Sequence, residues 1–115
     1  MLVVNTPHPE ELLAALRQAV DSRKVEGWNC DRDGDYTYEL PPWRGKAFLR
    51  PVVMVGALKF VLLGQQNALM TKAAYGVYLG RFIELLLAHF DDRFTGLTAS
   101  ASVGSAAAAP SARAM

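Results

Sequence analysis

The sequence predicts an α+β domain of order β-α-β-β-β-β-α: one antiparallel sheet, two helices packed on one face, and a disordered C-terminal tail. Three observations predict it. Two tight-turn signals, Asp33-Gly34 and Gly56-Ala57, join strand-like stretches into hairpins. The residues of those stretches alternate between two faces. Two further segments carry an apolar stripe at helical spacing on one side only, so each has one face to bury.

MLVVNT reads as a short first strand, ended by the TPHP that follows. Thr6 or His8 caps a helix from about Pro9 to Arg23, with Pro9, Glu10 and Glu11 in its first turn, where proline and acidic side chains suit a helix start. Leu12, Leu13, Leu16, Ala19 and Val20 form its stripe. In the first hairpin an Asp33-Gly34 turn of type I′ pairs Trp28 with Glu39 and Cys30 with Thr37. That register turns Tyr36, Tyr38 and Leu40 to one face, and Trp28, Cys30, Thr37 and Glu39 to the other. In the second hairpin a type II′ turn at Gly56-Ala57 pairs Val55 with Leu58 and Val53 with Phe60 on an apolar face. Pro51 lacks a ladder donor, which suits an edge or a bulge.

The dominant element is Lys72–Phe94, which Thr71 is placed to cap and Gly96 to stop. Tyr75, Tyr78, Leu79, Phe82, Leu86 and Phe90 share one face, while Gly80, Arg81, Glu84 and Ala88 lie opposite. A single domain is expected over 1–96. An Ala/Ser-rich tail is expected over 97–115, where no large apolar residue recurs at any period.

Composition narrows the function classes. Hydrophobic residues make up 51% and charged residues 20%, and the formal net charge is +1, so nothing global calls for nucleic acid or membrane. One cysteine, Cys30, excludes an internal disulfide and fits a reducing compartment. The opening residues show no signal peptide, and the central helix carries Arg81, Glu84 and His89, which a bilayer span would have to bury. A cytoplasmic protein is expected, with no cofactor and no membrane partner.

The candidate site is the sheet face that the helices leave uncovered. The expected registers collect Trp28, Arg44, Lys46, Phe48, Arg50 and Lys59 there, with Thr37, Glu39, Val52, Met54, Val61 and Leu63. No acidic residue occurs between Leu40 and Ile83. An aromatic, basic and apolar face suits a protein interface, with another protein or a second copy and so a dimer. The alternative is a nucleic acid or other polyanion held by Arg44, Lys46, Arg50 and Lys59.

Other chemistry has less to stand on. Asn29-Cys30-Asp31-Arg32-Asp33-Gly34 resembles the first half of an EF-hand calcium loop. The twelfth position, which should supply a bidentate glutamate, is Leu40, and a hairpin turn accounts for Asp-Gly without metal. No metal site and no catalytic residue is assigned. His89, at the edge of the central helix's stripe, is the one residue on which a small enzyme could turn, and no nucleophile motif accompanies it. The reading is therefore a small non-enzymatic interaction protein.

Overall fold

The structure, a computed structural model, describes residues 1–65 and 70–101. The elements in chain order are β1 (Leu2–Asn5), α1 (Pro9–Asp21), β2 (Trp28–Cys30), β3 (Tyr36–Tyr38), β4 (Ala47–Met54), β5 (Ala57–Gly64), α2 (Lys72–His89) and β6 (Gly96–Ala99). The strands form a six-stranded antiparallel sheet in the order β2-β3-β4-β5-β1-β6.

One apolar core lies between the helices and one face of this sheet. The strands contribute Leu2, Val4, Trp28, Tyr36, Leu49, Leu58, Phe60 and Leu62, and the helices contribute Leu12, Leu16, Val20, Tyr78, Phe82 and Leu86. Apart from Trp28, which the expected register turned to the other face, these residues follow period-2 and helical spacing. Every member of the expected α2 stripe from Tyr75 to Phe90 is buried. At its start the Thr71 side chain accepts the Ala74 N–H at 3.0 Å, the expected cap. At α1 the N-cap is His8, which makes no side-chain cap bond. α2 ends at His89, short of the expected Phe94, because the chain folds back through a turn into β6.

β6 is an element the sequence did not announce. Residues from Leu97 onward were expected in the tail, yet Leu97 pairs with Val4 and Ala99 with Leu2. The strand is made by its partner: β1 sits between β5 and β6, and its Leu2 and Val4 are fully buried. The Thr95 N–H donates to Asn5 O at 2.8 Å and the Ser100 N–H to Met1 O at 2.9 Å, so bonds continue past both ends. The rest of the expected tail, 102–115, and residues 66–69 of the connector before α2 lie outside the described residues.

Both hairpins form, each in a register other than the expected one. In the first, Trp28 pairs with Tyr38 and Cys30 with Tyr36, a shift of one residue. The loop has three residues rather than two: the Asp31 N–H donates to Asp35 O at 2.9 Å, and Gly34 alone takes the left-handed conformation, φ +84°. Asp31 sets this shape, because its carboxylate accepts the N–H groups of Asp33 at 2.9 Å and Asp35 at 3.0 Å. A slip of one residue exchanges the faces of a strand, so Trp28 and Cys30 join Tyr36 and Tyr38 on the helix side. In the second hairpin Met54 pairs with Ala57 around a Val55-Gly56 turn in which Gly56 has φ +74°. That shift is two residues, so the expected faces survive while the residues at the tip move outward.

Candidate functional site

The uncovered face is built from β4 and β5, whose pairing sets Phe48 against Leu63, Arg50 against Val61 and Val52 against Lys59. Val3 of β1 extends the last row beside Lys59. The structure therefore brings together Phe48, Arg50 and Lys59 of the six expected site residues. Val52 and Met54 sit on the same face, 40% and 44% exposed. The hairpin end adds Val53 at 43% and Val55, which is fully exposed. Four consecutive large apolar residues thus meet solvent, a pattern that monomeric surfaces rarely carry without a use.

The other three expected residues are elsewhere. Trp28 is 2% exposed and packs in the core, with ring centroids 5.2 Å from both Tyr38 and Phe82 and 5.9 Å from Tyr78. The one-residue register shift is the reason. Arg44 and Lys46 are exposed, but they precede β4, in a turn pinned by Gly45 N–H to Tyr38 O at 3.1 Å and Lys46 N–H to the Tyr78 hydroxyl at 3.0 Å. Strand parity does not extend to them. Glu39, also expected on this face, lies beyond β3 and bonds through its N–H to Gly27 O at 2.7 Å.

Arg50 is not a free cation. Its Nε and one terminal nitrogen donate to the two carboxylate oxygens of Asp35, at 2.9 and 2.8 Å. Asp35 is fully buried, while the Arg50 side chain is about half exposed. The carboxylate holds the guanidinium's charge more firmly than usual, with Asp33 and Asp31 adding to the effect. Sequence reasoning missed Asp35 because it placed that residue in the turn opposite Arg32, and only the true register carries it to Arg50.

The EF-hand-like stretch resolves into the same local structure. Carboxylate oxygens of Asp31, Asp33 and Asp35 lie within 4.8 Å of one another. Their closeness follows from the turn: Asp31 accepts backbone N–H groups and Asp35 grips Arg50. Asn29, the expected first ligand, pairs with Thr37 inside the sheet.

His89 is exposed in the last turn of α2. His8 is exposed as well, with Nδ1 at 3.3 Å from Glu11. Cys30 is half-buried, and burial pushes its thiol up, away from the reactive thiolate. No helix among the described residues is long and apolar enough to cross a membrane. No protein-family model, curated protein or solved structure matches the chain.

Proposed function

We propose that this chain is a small non-enzymatic interaction protein, working through the uncovered sheet face and associating there with a second copy of itself. The observation that carries the reading is the pair of exposed residues Val52 and Met54, on one sheet face with Phe48 and Val61, with Val53 and Val55 exposed beside them at the hairpin end. Burying such a patch yields about 25 cal/mol per Å² of apolar surface removed from water. Two cations lie on this face: Arg50 is held by Asp35, so covering it leaves that charge paired, while the half-buried Lys59 beside Val52 would sit at the rim.

The test is light scattering coupled to size exclusion, on the natural chain and on a Val52→Asp, Met54→Asp double variant. The natural chain is expected to run at twice the monomer mass, and the variant at monomer mass with its circular dichroism unchanged. Equal masses for the two would overturn the reading.

A second reading is polyanion binding in a cytoplasmic setting. Arg44 and Lys46 are exposed and Lys59 is half-buried, but Arg50 is committed to Asp35, which leaves three of the four expected cations. This reading expects affinity for single-stranded oligonucleotides that falls steeply between 50 and 200 mM salt, roughly tenfold for every two phosphate contacts. Affinity indifferent to salt would sink it. A catalytic role for His89 draws support only from its place at a cleft beside Arg81 and Glu84.

A further inference from the structure

Between α1 and β2 the chain turns on Arg23, whose φ of +65° is the left-handed conformation that glycine ordinarily supplies at a helix C-terminus. The turn is otherwise an ordinary one: the Arg23 N–H donates to Val20 O at 3.2 Å and the Lys24 N–H to Ala19 O at 3.0 Å. Arginine there carries a conformational cost that glycine would not. Its side chain lines a cleft of about 450 Å³ on the helix side of the sheet. Lys24 joins it from the same turn, Arg81 and His89 come from α2, and the half-buried Tyr38 ring forms an aromatic wall with the buried Trp28 behind it. Two carboxylates also line the cleft, Glu26 and Glu84, and Glu84 is met by Arg81 at 3.5 Å.

We propose that this cleft binds a small organic anion: a carboxylate or phosphate group on a flat apolar body. Cations from the turn after α1 and from α2 converge on a recess walled by the Tyr38 ring, the arrangement in which a charged head group pairs while a ring packs beside it. Basic residues also compensate the negative ends of α1 and α2, but glycine at 23 would cap α1 at least as well, and Lys24 would still serve the dipole. The strained arginine is what ligand binding accounts for and helix capping does not. This site is separate from the sheet face and stands or falls independently of it.

The experiment is a two-dimensional amide and indole NMR titration of the full chain with phenyl phosphate, benzoate and inorganic phosphate, paired with thermal melts. Saturable shifts are expected at the Trp28 indole and at residues 23–26 and 85–89. One of the two aromatic probes should bind at least about tenfold more tightly than inorganic phosphate. Which aromatic probe it is identifies the head group. Arg23→Gly is expected to raise Tm by a few degrees, through relief of the left-handed strain, and to weaken that probe at least about tenfold. Arg81→Ala, at an exposed position, should weaken it without raising Tm. Shifts that do not saturate, equal affinity for inorganic phosphate, or unaltered binding by Arg23→Gly would each overturn the proposal.

Discussion

At position 50 the guanidinium spans both oxygens of a carboxylate that has no exposure of its own. Arg50→Ala would remove that partner and leave the Asp35 charge buried without it. Breaking a buried pair from one side costs about 3–5 kcal/mol, and the half-exposed arginine places this case near the lower figure. Urea denaturation checks it; a loss under about 1 kcal/mol would mean that water or rearrangement replaces the pair. Tyr36 supplies a second residue-level test. Burial pushes its hydroxyl well above the ordinary tyrosine range, and the Cys30 thiol beside it pushes the same way. A phenol that ionises later in the folded than in the unfolded chain leaves stability flat below about pH 10 and lowers it as pH rises further. Denaturation midpoints should fall above pH 10 in the natural chain and less steeply in Tyr36→Phe. Equal slopes would remove Tyr36 from the alkaline response.

The elements show what a sequence can and cannot announce. Both helices, and the turns at Gly34 and Gly56, were legible because spacing and glycine chemistry are local signals. Hairpin register was not. An Asp-Gly pair suits a two-residue loop, but the carboxylate of Asp31, two residues earlier, recruits the N–H groups of Asp33 and Asp35 and enlarges the loop to three. That one residue carries Trp28 from the presumed binding face to the core. Trp28→Ala should therefore cost about 3–5 kcal/mol in denaturant, as a large core truncation does. A cost near zero would return Trp28 to the surface. The two-residue shift in the second hairpin did less harm, since an even shift preserves the face; Phe48, Arg50 and Lys59 are where parity placed them. β6 was illegible for another reason. Leu97-Thr98-Ala99 has no strand pattern of its own, and its structure comes from lying beside β1. Truncation before Gly96 is expected to lower Tm by exposing the edge of β1. An unchanged melt would show that β6 adds nothing to the sheet.

Across the whole molecule, the apolar surface is distributed unevenly. Core residues from β1 to β5 and both helices are enclosed on one side of the sheet, while the outer end of the β4–β5 hairpin presents Val52, Val53, Met54 and Val55 to solvent. Both helices pack on one face of the sheet, so a second copy is the cover proposed for the other. Hydrogen exchange measured at two protein concentrations a hundredfold apart tests this most directly. Amides from Phe48 to Val61 are expected to exchange more slowly at the higher concentration while those of α1 and α2 are unchanged. Exchange that is the same at both concentrations, or protection that grows elsewhere, would contradict it.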